Sequence, residues 1–145
     1  IDSDREESYM SAKRIMVSGG FDPIHIGHVR MIQEAAKHGP VVVAVNSDDW
    51  LMRKKGYVFM PWTERAEIVE SIKGVKYAVA VNDSDDTVCD AIKEEHPHAF
   101  ANGGDRKGDN TPEVALCNEM GIELIWNIGG GKIQSSSDLV AASKK

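Results

Sequence analysis

A chain of 145 residues with 41% hydrophobic and 28% charged side chains has the composition of one globular domain with a real core. Its net charge of -6 and pI of about 5.3 argue against a nucleic-acid partner, which would call for a basic patch, but allow a small anionic ligand in a local basic pocket. No signal-peptide pattern is read, and no run of about 18 apolar residues occurs, so a membrane partner is not expected.

The first residues, IDSDREESY, are polar and acidic, and Met10 offers a natural start. A flexible N-terminal tail over 1–13 and one folded domain over 14–145 are expected. RIMVS (14–18) reads as a buried first strand running into Gly19-Gly20. HVRMIQEAAKHG places Val29, Ile32, Ala35 and Ala36 on one helical face and stops at Gly39. PVVVAVN (40–46) is a continuous β-branched run, the pattern of a strand covered on both faces. Residues 47–60 are polar and basic, a loop with room for a short helix. PWTERAEIVESIKG is helical, with Thr63 as N-cap and Ile68, Val69 and Ile72 on one face.

VKYAVAV (75–81) is the third strand, and DDTVCDAIKEEHP a helix stopped by Pro97. HAFA (98–101) is a fourth strand leading into NGGDRKGDN. TPEVALCNEMG is helical, with Pro112 early in its first turn. IELIWNI is the fifth strand. After GGGK, SSSDLVAASKK opens with good N-cap residues and reads as a terminal helix. Strand and helix alternate throughout, which predicts an α/β fold with a parallel five-stranded sheet and helices on both faces. Cys89 and Cys117 form no CxxC pair and read as free thiols, which suits the cytoplasm.

GGFDPIHIGH (19–28) lies between the first strand and the first helix. In open α/β sheets ligands bind at the carboxyl ends of strands. Gly19 and Gly20 would let backbone N–H groups approach an anion, and the helix N-terminus adds a partial positive charge. Gly27 sits between the histidines, where a side chain would crowd a ligand. His25 and His28, at i and i+3, share one face of the helix start and can donate to phosphate oxygens. Together with Asp22 they could instead bind a metal, or they could simply cap the helix. The metal reading leaves the glycines and the serine turn without a role.

GGFDPIHIGH resembles the HxGH signature of the cytidylyltransferase-like nucleotidyltransferases, a Rossmann-like superfamily. Three further stretches are similar to members that act on glycerol 3-phosphate or heptose phosphate: VNSDDWLMRKKG, FANGGDR (100–106) and IQSSSDLV (133–140). The resemblance implies that an acceptor phosphate oxygen attacks the α-phosphorus of CTP or ATP and that pyrophosphate leaves. It gives His25 and His28 the charge on the α- and β-phosphates, and Lys54 or Lys55 the incoming phosphate and transition state. Gly19, Gly20, Phe21, Asp22 and Gly27 would form the nucleotide-binding turn, with Gly104 and Asp105 beside the nucleoside. Ser135, Ser136 and Ser137 would grip the β- and γ-phosphates, and Arg65 and Lys55 would bind the acceptor.

Mg²⁺ would arrive on the triphosphate. The acceptor would be a small phosphorylated sugar or polyol, and a homodimer is implied, with Trp50, Trp62 or Phe59 available for its interface. One departure stands out: the members that act on glycerol 3-phosphate carry an arginine before the serine turn, and here Lys132 is the nearest cation, which weakens the likeness to that subfamily. A non-catalytic nucleotide-binding module is the alternative reading. A tRNA-handling fragment, suggested by the shared HIGH motif, sits poorly with the acidic charge and the short chain.

Overall fold

The computed structural model describes residues 13–102, 111–126 and 128. Five strands, β1 (Ile15–Gly19), β2 (Val41–Val45), β3 (Val75–Ala80), β4 (Ala99–Ala101) and β5 (Glu123–Ile125), form one sheet. They lie in the order β3-β2-β1-β4-β5 and every pairing is parallel, as the alternation predicts. The helices between them are α1 (Ile26–Ala36), α2 (Asp48–Lys55), α3 (Trp62–Glu70), α4 (Cys89–Glu95) and α5 (Pro112–Met120). The fold is Rossmann-like.

Side chains alternate across the sheet, so consecutive strand residues enter different cores. Ile15, Val17, Val41, Val43 and Val45 pack with Ile32 and Ala35 of α1 and Val69 of α3. Met16, Val42, Ala44 and Phe100 pack with Ala91 and Ile92 of α4 and Cys117 of α5. The apolar run of β2, four valines and Ala44, is therefore buried at all five positions. Burial pushes the Cys117 thiol up to about 11, which keeps it protonated, while Cys89 is half-buried; both are free.

The polar stretch 47–60 holds the short helix the sequence reading left room for: α2, eight residues, capped by Ser47, whose hydroxyl accepts from the Trp50 amide at 3.0 Å. Its acidic Asp48 and Asp49 fall in the first turn and its basic Arg53, Lys54 and Lys55 in the last, which suits the helix dipole. Several boundaries differ from the sequence reading. Thr63 does not cap α3. Pro61 holds the N-cap position, so Thr63 lies inside the first turn. Ile68 is 38% exposed, and the covered face of α3 is Arg65, Ala66 and Val69.

Helix α4 begins only at Cys89, because residues 83–87 turn on themselves through Asp86 N–H to the Asp83 carbonyl and Thr87 N–H to Asp85. Helix α1 ends at Ala36, before Gly39, whose φ of +155° has a packing reason. A Cβ there would lie 2.3 Å from the Lys13 carbonyl oxygen. Residues 1–12, the 103–110 loop and the serine turn with the expected terminal helix lie outside the described residues.

Candidate active site

Winding reverses at β1, which pairs with β2 on one side and β4 on the other. The crevice beyond the carboxyl end of β1 is the topological switch point where such sheets bind ligands. GGFDPIHIGH occupies it. Phe21 takes φ +53°, uncommon for a residue with a side chain, and its buried ring folds back to within 3.1 Å of where a Gly19 Cβ would stand. The Asp22–Pro23 peptide is cis. The space above Gly20 is taken by helix α2: a Cβ there would meet Leu51 at 3.1 Å and Trp50 at 3.3 Å. Gly20 thus lets α2 close on the turn, a packing role the sequence reading did not give it.

The two histidines start α1 together. His25 is the N-cap, and its Nδ1 accepts from Gly27 N–H at 3.0 Å. His28 Nδ1 accepts from His25 N–H at 3.2 Å, closing a capping box. The rings stack with centroids 3.9 Å apart, and His28 meets Phe21 edge-on at 5.0 Å. Each Nδ1 is used as an acceptor, so each ring proton belongs on Nε2. His25 Nε2 is buried and has no hydrogen-bond partner among the described residues. A shielded donor without an acceptor is the exception in folded proteins, and it suits a ligand oxygen.

The same geometry resists protonation. Burial lowers the His25 pKa, and burial followed by the neighbouring His25 lowers His28 to about 4. The unfolded chain takes up this proton near pH 6.5, the folded chain only near 4. The contribution of His28 to stability is therefore whole above about pH 6.5 and falls as pH drops towards 4. Imidazole ¹⁵N spectra should show His28 as the neutral Nε2–H tautomer at pH 6. A charged ring at that pH would refute the capping geometry.

Asp22 does not face the crevice. Its carboxylate is fully buried and accepts from the Phe59 and Met60 amides at 2.7 Å each and from Lys55 Nζ at 3.1 Å. Lys55 Nζ also donates to the Asp22 carbonyl and lies 4.7 Å from the centre of the Tyr57 ring. Asp22 and Lys55 thus lace the HxGH turn to the 56–61 strap. Lys54 is exposed, 5.9 Å from the centre of the Trp50 ring, and makes no hydrogen bond or ion pair among the described residues.

Arg65 is also corrected. It is 0% exposed, and its guanidinium donates to the carbonyls of Met60, Gly20 and Asn46, each at 2.8 Å, and to Asp48 Oδ1 at 2.5 Å. Four of its five N–H groups are occupied, so it braces the ends of β1 and β2 and presents no free donor fork to an acceptor. Trp62 belongs to the core, with its Nε1–H donating to the Val45 carbonyl, whereas Phe59 is 66% exposed.

Sequence reading missed Asp83, just beyond β3. Its Oδ2 accepts from Asn46 Nδ2 at 3.0 Å and Ser47 N–H at 2.9 Å, and its Oδ1 from the Ser47 hydroxyl at 2.6 Å. Burial works to raise its pKa, but these hydrogen bonds outweigh it and hold the carboxyl below the usual range. Arg53 Nη2 donates to the Asp83 carbonyl at 2.7 Å and to Asp86 at 3.0 Å. The available signal was polar residues just past the carboxyl ends of two strands that prove to be neighbours. Gly104, Asp105, Ser135, Ser136 and Ser137 lie outside the described residues. Among the described residues, no group of three or more His, Cys, Asp or Glu is placed to hold a metal ion, and no helix is long and apolar enough to cross a membrane.

The model of the cytidylyltransferase-like family matches residues 16–120. The bifunctional protein HldE of Nitratiruptor sp. is 36% identical over 119 residues, 79% of this chain and 25% of that protein. FAD synthase of Methanobrevibacter smithii is 28% identical over 141 residues, 92% of each chain. The solved structure of the lipopolysaccharide core biosynthesis protein from Thermoplasma volcanium GSS1 aligns with a TM-score of 0.63 and 27% identity, covering 78% of this chain and 92% of that one. The chain thus spans a quarter of the HldE relative and nearly all of the other two.

Proposed function

We propose that this chain, which belongs to the cytidylyltransferase-like family, transfers a nucleotidyl group from CTP or ATP to the phosphate of a small acceptor. An acceptor phosphate oxygen bonds to the α-phosphorus, the bond from the α-phosphorus to the bridging oxygen breaks, and pyrophosphate leaves. The observation that carries the reading is the unpartnered, shielded Nε2 of His25 beside His28 at the switch point. Both Nε2–H groups donate to the α- and β-phosphate oxygens, where charge grows as pyrophosphate departs. Because both rings are held neutral, they act as fixed donors rather than acids. Most of the remaining catalysis is positioning.

Lys54 supplies the positive charge for the acceptor phosphate, since Arg53 and Lys55 are committed to Asp83, Asp86 and Asp22. Gly104 and Asp105 are assigned to the nucleoside and Ser135, Ser136 and Ser137 to the terminal phosphates. Mg²⁺ is carried on the triphosphate itself, and a homodimer, with Phe59 at its interface, is part of the reading. The acceptor is a sugar or polyol phosphate. A flavin phosphate is the second reading, favoured by the FAD synthase match across 92% of both chains.

Pyrophosphate release tests the proposal, with ATP, CTP, GTP and UTP crossed against glycerol 3-phosphate, heptose 1-phosphate and riboflavin 5′-phosphate. Turnover with ATP or CTP and one sugar or polyol phosphate is expected. Turnover only with riboflavin 5′-phosphate moves the acceptor to the second reading. Nucleotide binding by calorimetry without turnover favours the non-catalytic module, and no binding at all overturns both.

A further inference from the structure

Helix α2 is held in an unusual way. Of its eight residues only Leu51 is buried, and with the half-buried Trp50 it packs over Gly20, so apolar contact holds the helix on one side only. The rest of its hold is polar and comes from three separate segments. Asp48 meets Arg65 of α3, Lys55 meets Asp22 of the HxGH turn, and both ends of the helix meet the segment after β3. At the N-terminal end Asp83 accepts from Ser47 and Asn46. At the C-terminal end the Asp83 carbonyl and Asp86 take the Arg53 guanidinium. One residue therefore reaches both ends of a helix that spans two turns. Lys54 stands between Arg53 and Lys55 and makes no such tie among the described residues.

We infer that Asp83 is a positioning residue for the acceptor phosphate: its carboxylate anchors Ser47 at the start of α2 while its backbone carbonyl, with Asp86, takes Arg53 at the other end, and together these fix where Lys54 stands. This rests on the nucleotidyl-transfer reading of Lys54, but not on the identity of the acceptor. Asp83 contributes geometry rather than charge. A carboxylate near a phosphate subsite repels the phosphate, so electrostatics alone predicts tighter phosphate binding once Asp83 is gone. Positioning predicts the reverse. Long flexible lysines lose binding when their base is free to wander, because each bound contact must then order more of the chain.

Inorganic phosphate is the probe. It is titrated into the whole chain while the ¹⁵N resonances of α2 are followed, and ATP and CTP affinities are measured in parallel by calorimetry. Phosphate should shift Lys54 in the wild-type chain. Asp83→Ala keeps the backbone carbonyl that takes Arg53 but frees the start of α2 from the carboxylate, and should weaken that binding about fivefold while leaving nucleotide affinity within about twofold. Asp83→Asn should stay within about threefold of wild type. Its amide oxygen can take the Asn46 and Ser47 N–H groups, and its NH₂ can donate to the Ser47 hydroxyl. Ser47→Gly removes one of the three bonds at little cost to the helix start, and should weaken phosphate about threefold even if Asp83→Ala does not fold.

Tighter or unchanged phosphate binding in Asp83→Ala overturns the inference, as does an equal loss of phosphate and nucleotide. If Asp83→Ala does not fold, unchanged phosphate binding in Ser47→Gly overturns it. So does the absence of any phosphate shift at Lys54. Failure of nucleotide to bind the HxGH turn is a separate result, and it overturns the nucleotidyl-transfer reading.

Discussion

His28→Ala is expected to lower kcat by about 10²–10³-fold, the usual cost of removing one preorganised donor from a developing negative charge. Nucleotide binding should fall much less, because His25, the α1 N-terminus and the backbone of the turn remain. The substitution also removes the acceptor of His25 N–H from the capping box, which should cost about 1 kcal/mol of stability. His28→Glu separates the two effects. A glutamate at the third helical position can accept the same N–H and suits the helix dipole, so folding stability should recover. Its charge would repel the triphosphate, so turnover should not. Steady-state kinetics and thermal unfolding on the three proteins provide the check. A His28→Ala enzyme within tenfold of wild-type kcat would remove His28 from the proposed mechanism.

The parts of the fold that follow from periodicity were legible in the sequence. The valine run of β2 announces a strand buried on both faces, and the strand–helix alternation gives the parallel sheet on which those faces are covered. GGFDPIHIGH is legible for the same reason, because its place after β1 is a matter of chain order. Contacts that depend on strand order were not. Asp83 and Ser47 are 36 residues apart, and only the adjacency of β2 and β3 brings them together. Thr63 reads as a cap on residue type alone, and the resemblance places Arg65 at the acceptor; neither reading takes account of which way the chain turns. Chain geometry overrides both: Pro61 takes the cap position and turns Arg65 inward under the ends of two strands. Asp22 misleads in the same way. An aspartate beside a phosphate-binding turn looks like a ligand contact, yet two amides of the 56–61 strap fill its carboxylate.

Replacing Arg65 with methionine should destabilise the fold by about 3–5 kcal/mol, the largest effect on stability expected of a single change here. The guanidinium fills a position with no exposure and satisfies three backbone carbonyls on separate segments. Methionine matches much of its volume but leaves those carbonyls without donors, each at a cost of about 1–3 kcal/mol unless water enters. Asp48 is less affected, being 45% exposed and free to find solvent. Arg65→Lys should recover only part of the loss, since one ammonium on a flexible stem cannot span the Met60, Gly20 and Asn46 carbonyls as a planar fork does. For a domain of this size the methionine variant should lower Tm by roughly 10 °C. A substrate-contacting arginine would behave differently: Arg65→Lys would raise the acceptor KM with Tm unchanged. A brace lowers Tm first and disturbs acceptor and nucleotide kinetics together, because it joins the turn after β1 to the start of α2. A Tm within about 3 °C of wild type for Arg65→Met would return Arg65 to the acceptor site.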